Sequence, residues 1–270
     1  MQFGVIVEDV AAYFMVLTLG IVHGANDLLI LKKNERFPKR FLKSVIGYVS
    51  LIGICLISYF INPFIALLLF ILLSSYHFRE EHFEHKIVAS RRIQYPIYLV
   101  YGLLIFLMIF NENIAEVNLI VSDLTNQTFS KQLLSSALVA TIALLITLFV
   151  YGFWRKTTFK VNFFKEIFYL CLLYLVFKTT SLILGFAIYF ILWHSIPSII
   201  DQTYYISGSI TKKSLIHYFK NASLIWLLSI VGLIGIYFYL DQNLFSSVIF
   251  IILFAVTAPH TWVMYRMKKK

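Results

Sequence analysis

Cysteine, proline, glycine and charge are all in short supply. Cys55 and Cys171 stand apart inside apolar runs. No disulfide framework, thiolate metal cage or paired redox thiols can be built from them. Five prolines and eleven glycines in 270 residues leave no low-complexity tract or flexible linker. Asp, Glu, Lys and Arg make up 13% of the chain, against about 25% in a soluble domain. That scarcity excludes a separate soluble catalytic domain. Residues 1–9 lack the basic start of a cleaved leader, so the first apolar run is expected to be retained.

What is present is apolar. Hydrophobic residues make up 60% of the chain and aromatics 17%, and the mean hydropathy is +0.83. A spanning helix needs about 20 apolar residues. Runs near 5–30, 42–61, 64–78, 93–110, 132–153, 163–177, 181–200, 224–240 and 244–264 approach that length. The expected fold is therefore all-α: a polytopic transmembrane bundle of eight or nine spans, in one integral-membrane domain over residues 1–270. The run at 163–177 is short, and if it re-enters rather than crosses, the count is eight.

The net charge of +10 does not point to nucleic acid. The basic residues fall in the connections near 32–40, 79–92, 155–160 and 212–220 and in the tail at 266–270. The intervening connections are poor in Lys and Arg, which is the positive-inside pattern. With nine spans, the N-terminus lies outside and the C-terminus in the cytoplasm of a multi-pass cell-membrane protein. Lys178 is then a basic residue on the wrong side.

His23, His77, His194 and His260 each lie near the expected cytoplasmic end of a separate span. Ionisable groups at membrane depth are costly and need partners. Four imidazoles at one depth in a bundle can close a metal site, and neutral imidazole suits Fe, Zn, Cu and Ni. The alternative for each is an interhelical hydrogen bond. His23 and Asp27 are one turn apart, so the carboxylate could fix the His23 tautomer; otherwise Asp27 is a solvated interfacial residue. His82 and His85 sit in a charged loop and read as solvated, although His82 could curl back to the site. His217 reads as surface. Tyr189, Trp193 and Trp262 flank candidate ligands and could line a slot for a long apolar substrate, although most membrane aromatics face lipid or interface.

Four motifs carry a resemblance: His23-Gly24-x-x-Asp27, His77-Phe78, Trp193-His194-Ser195 and Ala258-Pro259-His260. In order and spacing they resemble the Brp/Blh family of bacterial and archaeal membrane β-carotene 15,15′-dioxygenases. The resemblance implies Fe(2+) held by His23, His77 and His194. It implies O2 adding across the central double bond of a carotenoid, two molecules of retinal as product, and possible delivery of retinal to a rhodopsin.

The chain departs from the family pattern at three places. Ser198 stands where a second histidine is usual, four residues after His194. Arg79 replaces a glycine, and His82 falls near an acidic position. His260 or His82 could supply the fourth imidazole. Pro197 is expected to break the turn after His194. The lost ligand leaves a second reading open: a catalytically altered or inactive carotenoid- or retinal-binding protein. A di-iron desaturase would need more histidines in close boxes than this chain has. A transporter would show paired broken spans, and none is seen.

Overall fold

The structure is a computed structural model that describes residues 2–35, 37–83, 86–88, 90–239 and 242–269. His85 of the charged loop lies outside the described residues. Among the described residues the chain is all-α apart from a two-stranded ladder. Helix α1 (Gln2–Met15) passes through a π turn (Val16–Gly20) into α2 (Ile21–Ala25) and α3 (Asp27–Asn34). Then come α4 (Pro38–Ile61), α5 (Pro63–Phe83), β1 (Ile87–Val88), α6 (Arg91–Glu112), α7 (Ile114–Thr125) and α8 (Lys131–Trp154). After β2 (Thr158–Phe159) follow α9 (Phe163–Thr179) and α10 (Leu182–Phe190), and a second π turn (Ile191–Ser195) leads into α11 (Ile196–Ser207). The last two helices are α12 (Lys212–Tyr239) and α13 (Gln242–Lys268).

Among the described residues, seven helices are long and apolar enough to cross a membrane: Val10–Asn34, Pro38–Ile61, Arg91–Glu112, Lys131–Trp154, Leu182–Ser207, Lys212–Ile236 and Val248–Lys268. Pro63–Arg79 is a shorter apolar helix. The expected run at 163–177 is helical as α9, at 17 residues. Large apolar side chains face outward, among them Phe60, Phe164 and Phe238. Such surface is costly in water and suited to lipid, and it fits a membrane protein.

Asn62-Pro63 forms the tight break expected of it. Proline starts α5 at a position that needs no amide hydrogen, and Asn62 Oδ1 accepts from the Ile65 amide at 3.0 Å. Pro197 does not break its helix, contrary to expectation. The wider π turn Ile191–Ser195 precedes it, and the helix runs on through α11. A proline inside a helix leaves an i−4 carbonyl without its donor, and a local change of register is a usual way to absorb that.

The chain divides into two compact units. The first comprises Met1–Tyr13, Leu68–Ser122 and Asn126–His194, and the second Phe14–Leu67, Asp123–Thr125 and Ser195–Lys270. In the first, α6 is the central helix, packed by α8, α9 and α10. Its buried residues include Ile97, Tyr101, Leu104, Ile105 and Ile109, while α9 contributes Leu173 and Phe177. Gly102 lets α5 approach closely: a Cβ there would lie 1.9 Å from the Ser75 carbonyl oxygen. Strands β1 and β2 pair antiparallel, Ile87 opposite Phe159. Two carboxylates hold the start of α10. Glu8 Oε2 accepts from the Ser181 amide at 2.7 Å and Glu116 Oε2 from the Leu182 amide at 2.8 Å. Anions suit the positive end of a helix.

In the second unit α13 packs on α4 and α3, and α12 packs on α2. One apolar cluster joins Val22, Ala25, Ile199, Tyr218 and Ala222; another joins Ile30, Leu31, Val263, Met264 and Met267. Polar ties secure its basic edge. Arg266 bonds Glu35 and donates to Ser44 Oγ at 2.7 Å, and Lys33 caps the end of α11 through the Tyr205 and Ile206 carbonyls at 2.7 and 2.8 Å. The Arg266 hydrogen bond holds the Glu35 carboxyl below its ordinary range. Helix α11 ends at Gly208, whose φ of +74° is open to glycine at little cost.

Candidate metal centre

His23, His77, His194 and His260 are all buried. In the second unit the His23 and His260 rings meet edge-on, with centroids 4.7 Å apart and planes at 89°. Asn26 interrupts the helix with φ −94° and ψ 8°. The helix restarts at Asp27, whose carboxylate serves His260: His260 Nδ1 donates to Asp27 Oδ1 at 2.8 Å, and the Tyr48 hydroxyl donates to Asp27 Oδ2 at 3.1 Å. The expected His23–Asp27 pairing is thus replaced by a His260–Asp27–Tyr48 chain. His23 instead directs Nδ1 to the Gly20 carbonyl, at the end of the first π turn.

Both acceptors fix a tautomer. A carbonyl or carboxylate oxygen can only accept, so Nδ1 carries the proton in each ring. That leaves the Nε2 lone pair as a metal donor, the usual arrangement behind a ligating histidine.

Ser198 and its neighbours form a closed polar network in the same unit. Gln202 Nε2 donates to the His23 carbonyl at 2.8 Å and to Ser198 Oγ at 3.0 Å. Gln202 Oε1 accepts from the Tyr218 hydroxyl at 2.9 Å, and Asn26 Nδ2 donates to the Tyr218 carbonyl at 3.2 Å. Where a histidine would be expected there is a serine engaged with a glutamine that grips the His23 backbone. Trp262 packs against the cluster around Ile30, near Gly47 and under the Arg266 guanidinium, so it braces α13 on α4.

In the first unit the His77 and His194 ring centroids are also 4.7 Å apart, with planes at 72°. His194 lies within the second π turn. Phe78 and Phe190 flank it at 4.4 and 5.5 Å between centroids, and Phe78 also packs on Tyr189 and Phe106. Trp193 turns away to meet Tyr169 edge-on at 6.0 Å. His82, past the apolar segment of α5, is not the solvated residue expected. Its Nε2 contacts the Glu166 carboxylate at 2.9 and 3.0 Å, and Tyr101 donates to the same group at 3.1 Å. Burial pushes the His82 imidazole below its ordinary value, outweighing the upward pull of Glu166.

The donor set fits a metal. Two imidazoles on one ion, with metal–nitrogen bonds of about 2.1 Å, bring their ring centroids to about 4.5–5 Å. Each pair meets that spacing. Imidazole nitrogen without thiolate is compatible with iron.

The family model described as Beta-carotene 15,15'-dioxygenase matches residues 14–268. The chain belongs to this family. Membership places it among the carotenoid-cleaving dioxygenases in general, and carotenoid and O2 are the substrates that the β-carotene 15,15′-dioxygenase family implies. No curated protein and no solved structure matches the chain.

Reading the sequence for histidines missed Tyr48, Glu166, Gln202 and Tyr218. Glu166 was the most accessible of these, since an acid in the first turn of an apolar helix calls for a partner.

Proposed function

We propose that this protein is a non-haem iron dioxygenase that cleaves β-carotene at its central 15,15′ double bond. One C=C bond breaks and two C=O bonds form, so one β-carotene and one O2 give two retinal. The family match over 14–268 carries the reading. The burial of its four motif histidines supports it, as does the edge-on spacing within each pair.

His23, His77 and His194 hold Fe(2+) in this reading, and His260 supplies the imidazole that Ser198 does not. Bound Fe(2+) activates O2. The chain's own groups do the rest. Asp27 and Tyr48 hold His260 with Nε2 as its donor, and the Gly20 carbonyl does the same for His23. Phe78, Phe106 and Phe190 give a polyene an apolar wall that excludes water. The whole chain acts as one membrane domain of eight or nine spans with its C-terminus in the cytoplasm, and the retinal it releases is available to a rhodopsin.

Expression in β-carotene-producing cells tests the reaction. Loss of colour and appearance of retinal are expected, and His23→Ala should abolish both. Retained colour with folded protein in the membrane overturns the proposal. Metal analysis of the purified chain separates the enzyme from a metal-free carotenoid carrier. Ser198→His should leave iron content unchanged if His260 already completes the set, and raise it if that position is still needed.

A further inference from the structure

Arg79 is a residue the dioxygenase reading leaves unused. It stands where the resembling family has glycine, and it is 2% exposed. Its guanidinium lies 4.5 Å from the Tyr101 ring centroid and 5.5 Å from that of Tyr189. Among the described residues Arg79 forms no ion pair, and Nε has no hydrogen-bond partner. The equally buried Tyr189 hydroxyl interacts with the Arg79 side chain and has no other hydrogen-bond partner among the described residues. Glu166, the nearby buried carboxylate, is already engaged by His82 and Tyr101.

A buried cation that shares its nearby carboxylate, Glu166, with His82 and Tyr101 is only partly compensated, and unsatisfied buried polar groups are rare enough to need an explanation. Arginine offers donors only, and a phenol offers one more. Their shared complement is an oxygen acceptor. The surrounding wall is aromatic: Phe78 packs on Tyr189 at 6.0 Å and on His194 at 4.4 Å. The acceptor therefore belongs at the end of an apolar molecule.

We infer that Arg79 and Tyr189 form a subsite for the terminal carbonyl or carboxylate oxygen of an apolar ligand. The aldehyde oxygen released by the proposed cleavage is such a group, and that identification rests on the dioxygenase reading. The subsite itself does not, since a long-chain carboxylate from the bilayer carries the same chemistry.

The test uses the full chain, purified in detergent and stripped of metal with a chelator. Tryptophan fluorescence quenching gives affinities for retinal, retinoic acid, a long-chain fatty acid and the hydrocarbon analogue of retinal that lacks oxygen. The oxygenated polyenes should bind roughly 10–100-fold more tightly than the hydrocarbon, the range of one charge-assisted hydrogen bond. Arg79→Met should erase that preference, and Arg79→Lys should restore part of it. Tyr189→Phe should reduce it with the cation in place. Retinal binding ahead of the fatty acid assigns the subsite to the product, and the reverse order assigns it to membrane carboxylates. Equal binding of oxygenated and hydrocarbon ligands by the unmodified chain overturns the inference. So does an undiminished preference in folded Arg79→Met. A chain that prefers retinal yet cleaves no carotenoid keeps the subsite and loses the dioxygenase.

Discussion

The two histidine pairs share a spacing and differ in what holds them. His23 and His260 are set by hydrogen bonds: a backbone carbonyl behind one, and Asp27 with Tyr48 behind the other. His194 is set by shape, between the rings of Phe78 and Phe190. A hydrogen bond fixes which nitrogen carries the proton, whereas aromatic packing fixes where the ring lies. The polar pair should therefore be sensitive to isosteric changes of charge, and the aromatic pair to changes of volume.

The largest effect should come from Phe78→Ala. Emptying an aromatic site costs about 3 kcal/mol, and His194 loses one wall. A thermal melt in detergent should show a clear loss of stability, with iron content falling only in step with folded protein. Asp27→Asn should do the reverse. Stability should change little, while iron affinity drops about 10–100-fold, as for removal of a group behind a ligating histidine. Metal titration followed by mass spectrometry checks this. If Asp27→Asn melts the protein and spares the metal, the contrast between the pairs is wrong.

Gln202→Met should fall between these. It leaves the His23 carbonyl, Ser198 Oγ and the Tyr218 hydroxyl without their amide partner, at about 1–3 kcal/mol. Tyr218→Phe made with it should cost less than the sum of the two single changes, because the residues share one network.

The smallest effects are those of pH. His82 titrates below its unfolded value, so the folded state disfavours its proton. As pH falls below about 6.5 the unfolded chain takes up a proton that the folded chain resists, and stability drops. His82→Leu should flatten that slope. Glu35 is held low by Arg266, so its contribution is complete at neutral pH and disappears as pH falls through its folded value. In chemical denaturation across pH, softening attributable to His82 should therefore begin at a higher pH than that attributable to Glu35.

Much of the architecture was legible in the chain. Hydropathy placed most helices, the Asn62-Pro63 break fell where it was read, and four histidines were singled out. Partnerships were the illegible part. Helical spacing tied Asp27 to His23, but the Asn26 kink turned the carboxylate toward His260, 233 residues away in sequence. Glu166 and His82 are 84 residues apart, and no local pattern links them. Pro197 was read as a break because a local rule cannot anticipate a π turn upstream. Arg79 and Ser198 were visible as departures, but their surroundings were not.

Gly102 has a consequence at a distance. Its missing side chain sets how closely α5 lies on α6, and His77 is two residues beyond the Ser75 carbonyl it touches. Any larger residue at 102 must push that backbone aside and carry His77 with it. In a saturation mutagenesis screen scored by pigment loss, Gly102 would rank beside the histidines as an indispensable position, although it has no atom with which to meet the substrate.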